Sequence, residues 1–199
     1  MKSEKAPTAP RPPGRPRSQT ARRRILQSAY KLLKLKPMTS IAAHEIATGA
    51  GVSTATLYRW WDTKEEILFE ACLEHLKADR PPSRNVSPSA RLRRQVSDSA
   101  KWIRSEEGKV MARIIAGIQG DKALRRSYLE KFYFPRRQMQ RQLVEEAIAA
   151  GELNAHANPD LVIDALFGPL FFRWLQGHAP VDNAFATAVA DEVLRAFAP

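Results

Sequence analysis

Apolar residues recur at helical spacing along most of this chain, and no stretch alternates as a strand would. Ile25, Leu26, Ala29, Leu32 and Leu33 share one face of a first helix that starts near Thr20 and is ended by Pro37. A second helix is expected from about Ile41 to Thr48, and a third from about Thr54 to Trp60. Thr63 followed by Glu66 is a capping-box pattern that opens a fourth helix carrying Ile67, Leu68, Ala71, Cys72 and Leu76. The periodicity lapses between Lys77 and Pro88, where three prolines fall. Further helices are expected over 88–104, 107–119, 122–150, 159–177 and 182–197. Pro135 should kink or split the third of these, and Gly168-Pro169 should bend the fourth. The fold class is therefore all-α. Its expected organisation is an arm (residues 1–17), a three-helix unit (18–64), a connecting helix and linker (65–87) and a C-terminal helical domain (88–199).

The second and third helices fold about a sharp turn. Gly51 supplies a positive φ that is cheap only without a Cβ, Val52 points inward, and Ser53 is placed to cap the third helix. Leu57 and Trp61, four residues apart, give that helix a buried face, which leaves Thr54, Thr56, Tyr58, Arg59 and Trp60 outside. Hydroxyls, a guanidinium and amphipathic rings on one surface suit phosphates and base edges. This is a helix-turn-helix, and its geometry places the second helix in a DNA major groove.

Charge strengthens that reading. The chain has 199 residues and a net charge of +11. Ahead of residue 37 stand Lys2, Lys5, Arg11, Arg15, Arg17, Arg22, Arg23, Arg24, Lys31, Lys34 and Lys36, against Glu4 alone. Clustered cations beside such a motif are the footprint of a polyanion, since each neutralised phosphate releases condensed counterions. The arm is rich in Pro, Ala and basic residues and lacks the apolar content to build a core. Its Pro13-Gly14-Arg15-Pro16-Arg17 segment resembles the core of an AT-hook, so Arg15 and Arg17 are candidates for a narrow minor groove.

The stretch Ile46-Ala47, Ala50-Gly51-Val52-Ser53, Thr56-Leu57-Tyr58, Trp60-Trp61 and Thr63-Lys64 resembles the DNA-binding signature of the tetracycline-repressor (TetR) family of one-component bacterial regulators. The likeness runs from about Arg22 to Leu76 without a gap. It implies that Tyr58 and Lys64 hold the DNA backbone, which leaves Thr54, Thr56 and Arg59 as the better candidates for base edges. Three positions depart from the family pattern. Thr54 stands where Lys is frequent, and Trp60 where Tyr or His is usual; an indole donates one hydrogen bond and accepts none. Ala42 replaces a Ser or Thr that caps the second helix, so its capping and phosphate role should pass to Thr39 or Ser40.

For the C-terminal half the resemblance implies a small-molecule effector and a homodimer seam formed by the last two helices. The segment around Leu161–Trp174 is apolar nearly all round, as a helix buried on more than one side would be. Leu166, Leu170 and Trp174, with Phe185, Val189 and Val193 of the last helix, are the interface candidates. A pocket would draw on Trp102, Met111, Ile115, Phe132, Phe134, Met139, Phe167 and Phe171, although aromatics at this spacing serve first as core.

Other chemistry finds little footing. No His, Cys or carboxylate cluster has ligand spacing, so no metal or cofactor is expected, and Cys72 reads as core packing. No nucleophile–base arrangement, Gly-rich phosphate loop or carboxylate pair marks an enzyme. No apolar run nears the roughly 18 residues of a membrane span, and no leader pattern opens the chain, so a cytoplasmic location is expected. The expected function is a transcriptional regulator, most simply a homodimeric repressor that binds double-stranded DNA at an inverted-repeat operator and is released by an effector. The alternative is a sequence-tolerant architectural protein that binds DNA mainly through its basic arm.

Overall fold

The apolar stripes seen in the sequence close into two adjoining cores. In the computed structural model, which describes residues 19–76 and 86–199, the elements are α1 (Gln19–Leu35), α2 (Ala43–Ala50), α3 (Thr54–Leu57), α4 (Lys64–His75), α5 (Pro88–Arg104), α6 (Glu106–Ile118), α7 (Lys122–Tyr128), α8 (Phe134–Ala149), α9 (Pro159–Gln176) and α10 (Asn183–Ala196). A 3₁₀ turn, Met38–Ser40, precedes α2, and among the described residues there is no strand. The all-α expectation holds.

The first core gathers Ile25, Leu26 and Leu33 of α1, Ile46 of α2, Leu57 of α3, Ile67 and Leu68 of α4, and Met111 and Ile114 of α6. The second gathers Leu92 and Val96 of α5, Leu143 and Val144 of α8, Val162, Leu166 and Leu170 of α9, and Ala190 and Leu194 of α10. Each large side chain fully withdrawn from water contributes about 1.5–3 kcal/mol before entropy is subtracted. Trp102 and Trp174 pack against both cores, with ring centroids 5.7 Å apart in an edge-on pair.

The helix α6 is the graft between the two halves. It follows α5 in the C-terminal half yet buries its apolar face against α1 and α4. Arg113 donates to the Leu33 carbonyl at the end of α1. Met38 lies over Gly117, where an added Cβ would come within 2.9 Å of the thioether sulfur. The head is thus held to the C-terminal half by packing against α6.

Caps follow from the local sequence. Ser87, Ser105, Asp121, Asn158 and Asp182 accept from backbone N–H groups that open α5, α6, α7, α9 and α10, and Pro159 occupies a first-turn position where no N–H is needed. The 122–149 run is divided ahead of Pro135, into α7 and α8. Between them Leu129–Tyr133 winds as a π-turn, with the Phe134 N–H donating to the Leu129 carbonyl five residues back. Insertion of that wide turn just ahead of Pro135 lets the helix proceed past a residue that has no N–H to give. Cys72 is buried, and burial pushes its thiol up to about 12, so it stays protonated as ordinary core. No helix among the described residues is long and apolar enough to cross a membrane.

Candidate nucleic-acid interface

The turn between α2 and α3 is built from hydrogen bonds that its sequence makes available. Gly51 sits at φ 64° and ψ 43°, and its N–H donates to Thr48 while that of Val52 donates to Ala47. This pair of bonds closes α2 as a Schellman motif, for which a glycine in the left-handed region is the natural terminator. Ser53 then turns extended, and its Oγ accepts from the Thr56 N–H at 3.3 Å. The Ser53 and Thr56 hydroxyls also share a hydrogen bond of 3.0 Å. Ser53 is therefore committed to starting α3.

α3 itself is shorter than expected, a single turn over Thr54–Leu57 followed by a tight turn through Tyr58, Arg59 and Trp60. The Trp60 N–H donates to Leu57 at 3.0 Å, three residues back, which winds the end more tightly than an α-helix. Leu57 and Trp61 anchor this segment from beneath, both buried as the spacing predicts. Thr54 and Arg59 are exposed, and Tyr58 keeps 49% of its surface in water. Thr56 is half-buried. Trp60 departs from the outward placement, because it is half-buried and leans on the first core beside Trp61, ring centroids 6.1 Å apart. Its large apolar ring gains more by covering that core than by standing in solvent.

Lys64 reaches back to the turn before α2, its Nζ donating to the Ile41 carbonyl at 2.7 Å and lying 3.3 Å from Glu65. It thereby joins the N-terminal ends of α2 and α4. Thr39 and Ser40 lie exposed on the 3₁₀ turn alongside. They do not take over the cap of α2, because the residue at the cap position is Ala42 and the contact comes from Glu45 one turn on. Its carboxylate accepts the Ala42 N–H at 2.8 Å and two contacts from Lys36 Nζ at 2.6 and 2.8 Å. Lys36, reinforced by that N–H, holds the Glu45 carboxyl below its ordinary value of 4.5. Arg15 and Arg17 lie outside the described residues.

One constellation escaped the sequence reading. Glu70 of α4 accepts the Trp61 indole N–H at 2.5 Å through one oxygen and pairs with Arg22 of α1 through the other. Arg22 also reaches Glu74 at 3.0 Å. The available signal was the buried indole itself, a donor that must find an acceptor nearby.

The C-terminal candidates divide differently from expectation. Trp102, Phe132 and Phe171 do join one aromatic chain, running Tyr128–Phe132–Trp102–Trp174–Phe171 with centroid separations of 5.4, 6.0, 5.7 and 5.4 Å. Tyr128 was not foreseen. Met111 and Ile115 belong to the first core and Phe167 to the second, so these three are core residues of different clusters. Phe134 and Met139 are exposed on α8, apart from the aromatic chain. A solvent-open cleft of about 370 Å³ is lined by Ser89, Arg93, Glu152, Asp191, Leu194 and Arg195, none of them a pocket candidate. Its charges answer one another, with Arg93 Nε 2.7 Å from Asp191.

The interface candidates need correction too. Leu166 and Leu170 are 0% exposed inside this chain's own second core, where no partner can reach them. Trp174 belongs to the aromatic chain, while Phe185, Val189 and Val193 are half-buried at the edge of the second core, with the Arg173 guanidinium 3.4 Å over the Phe185 ring. The opposite face of α9 is the open one. Leu161, Ala165, Gly168, Phe172 and Leu175 follow one another at intervals of four, three, four and three residues. Leu161, Phe172 and Leu175 are among the most exposed large apolar side chains described, Phe172 at 61%. The helix is apolar on two sides as its composition implied, and the side left over after intrachain packing faces water.

Comparison with known proteins agrees with this architecture. Residues 25–71 match the family model for bacterial regulatory proteins of the tetR family, and residues 86–193 match the tetracyclin repressor-like C-terminal domain. The HTH-type transcriptional regulator YdeS of Bacillus subtilis is 32% identical over 185 residues, covering 92% of this chain and 91% of its own. The HTH-type regulator Rv1556 of Mycobacterium tuberculosis is 25% identical, covering 85% and 84% respectively. A TetR transcriptional regulator from Agrobacterium tumefaciens superposes with a TM-score of 0.72 at 20% identity, over 90% of this chain and 94% of that one.

Proposed function

Because the chain belongs to the TetR family of helix-turn-helix transcriptional regulators, we propose that it works as a homodimeric repressor on an inverted-repeat operator and is released by a small-molecule effector. The observation that carries the DNA half is the exposed face of Thr54, Tyr58 and Arg59 mounted on the buried Leu57 and Trp61. Arg59 can pair bidentately with guanine, a threonine methyl can meet that of thymine, and the Tyr58 hydroxyl can reach a phosphate. Arg23, Arg24, Lys31 and Lys34, all exposed on α1, add a backbone-tracking charge.

The dimer reading rests on the exposed Leu161, Phe172 and Leu175 face, with Gly168 at its centre allowing close approach. A two-fold pairing through that face gives one reading head per subunit, hence two half-sites. The effector reading is supported by α6, which follows α5 in the C-terminal half yet packs into the head's core, a core whose edge is shared with the second one through Trp102 and Trp174 of the aromatic chain. A ligand that prefers one packing of α6 weakens operator binding by its differential affinity, and DNA weakens ligand binding by the same factor. Selection of genomic fragments by the purified protein at about physiological salt tests the proposal. An enriched inverted repeat in a promoter supports it. Broad enrichment of A·T-rich fragments without a repeat transfers the function to the basic arm.

A further inference from the structure

The recognition segment is too short to hold its own orientation. α3 has four residues, and beyond it the two bonds of α-helical span, Tyr58 to Thr54 and Trp61 to Leu57, are both 3.3 Å long, with a shorter three-residue bond from Trp60 to Leu57 at 3.0 Å. Its direction is therefore set by its two anchors. Leu57 is held by packing, which resists displacement but not rotation. Trp61 is held by a directional bond, its indole N–H pointing at Glu70 Oε2. Glu70 is itself fixed from the far side by Arg22, whose guanidinium lies 6.0 Å from the Trp61 ring and is shared with Glu74. Helix α1, the recognition turn and α4 thus converge on a single carboxylate.

We propose that Glu70 is a positioning residue for sequence readout, setting the angle at which Thr54, Tyr58 and Arg59 meet DNA by holding the indole of Trp61. Base contacts demand placement within a few tenths of an ångström, whereas long cations follow phosphates from many poses. Loosening Trp61 therefore costs discrimination before it costs attraction. Glu70 and Glu74 together also neutralise Arg22, which takes that cation out of the phosphate-binding set. Removing the carboxylate weakens operator binding while leaving binding to arbitrary DNA equal or stronger. A residue with only a folding role would lower both together.

This inference rests on the operator reading, and the test separates the two. Full-length wild type, Trp61→Phe, Glu70→Gln, Glu70→Leu and the Trp61→Phe/Glu70→Leu double variant are titrated onto the selected operator duplex and onto a scrambled duplex of equal composition. Thermal melting accompanies each variant. Trp61→Phe and Glu70→Leu each reduce the operator-to-scrambled affinity ratio by about tenfold, the scale of a lost hydrogen bond to a charged group. The double variant is no worse than either single one. Glu70→Gln, which keeps an acceptor for the indole, retains most of the ratio. Should Glu70→Leu fail to fold, the contrast between Trp61→Phe and Glu70→Gln decides. Wild-type discrimination retained in Trp61→Phe overturns the proposal, as do additive losses or an equal fall on both duplexes. A wild type that binds both duplexes equally overturns the operator reading and this inference with it.

Discussion

The head formed by α1–α4 and the domain formed by α5–α10 dispose of their apolar residues in opposite ways. In the head, only Leu35 and Tyr58 among the large apolar side chains described remain exposed. What faces water there is mostly polar, with Arg23, Arg24, Lys31, Lys34 and Arg59 and the hydroxyls of Thr39, Ser40, Ser53 and Thr54 outnumbering the carboxylates of Asp62 and Glu74. The C-terminal domain leaves Leu161, Phe172 and Leu175 outside as a regular stripe on a helix whose other side is already buried. Each surplus matches a partner of its own kind. A face of charge and hydroxyl suits a solvated polyanion, and a continuous apolar stripe suits another apolar stripe.

The largest expected effect breaks the apolar side of this comparison. Phe172→Asp puts a charge next to the centre of the proposed α9 seam, and each ring lost is worth about 2 kcal/mol, counted twice across a two-fold axis. Dimerisation should weaken by about three orders of magnitude, visible as monomer in sedimentation at micromolar concentration, with operator affinity falling alongside while the fold persists. An unchanged dimer would place the seam elsewhere.

The polar side is sharpened by two substitutions on the recognition turn. Arg59→Ala should cost about 1–3 kcal/mol and relax preference at one base position, whereas Tyr58→Ala should lower affinity evenly on all sequences. Equal losses of specific and nonspecific binding in both variants would contradict that division of roles.

A smaller effect concerns the turn itself. Gly51→Ala meets no crowding, since the only neighbour of the added Cβ is an Arg24 nitrogen at 3.8 Å, so its penalty is the strain of a left-handed backbone alone. That strain is about 1–2 kcal/mol, or a melting temperature lower by about 3–6 °C for a chain of this size.

The smallest effect is electrostatic. Glu45 has a lowered pKa in the folded state, held there by Lys36 and the Ala42 N–H, so its contribution is complete above the ordinary value of 4.5 and disappears as pH falls through the folded value. Melting curves of wild type and Glu45→Gln should differ by a constant amount at neutral pH and converge on acidification below about 4.5. A difference that grows on acidification would reverse the assigned sign.

Legibility in the sequence followed the same division. The head could be read because its signals are local: Gly51 ending one helix, Ser53 beginning the next, Leu57 and Trp61 one turn apart. Where a contact joined separate elements it was missed, as with Glu70 of α4 beneath Trp61; Glu45, three residues after Ala42, was a local N3 signal masked by the alanine at the cap position. In the C-terminal domain the hydrophobic period gave each helix but could not say which of two apolar faces the chain would consume. α9 illustrates this: Leu166 and Leu170 are as apolar as Leu161 and Phe172, and only tertiary packing separates them. The π-turn before Pro135 likewise has no single-residue signature, since the wide turn is one of several ways to accommodate a missing donor.

In the proposed regulator a polar head reads DNA in pairs set by the exposed apolar stripe of α9. Hydroxyl-radical footprinting of the selected fragment tests it most directly. Two protected blocks related by a two-fold axis are expected, their centres about one helical turn or a small multiple apart, with both lost together in Phe172→Asp. A single protected block in the wild type, or paired blocks that survive in a protein shown to be monomeric, would contradict it.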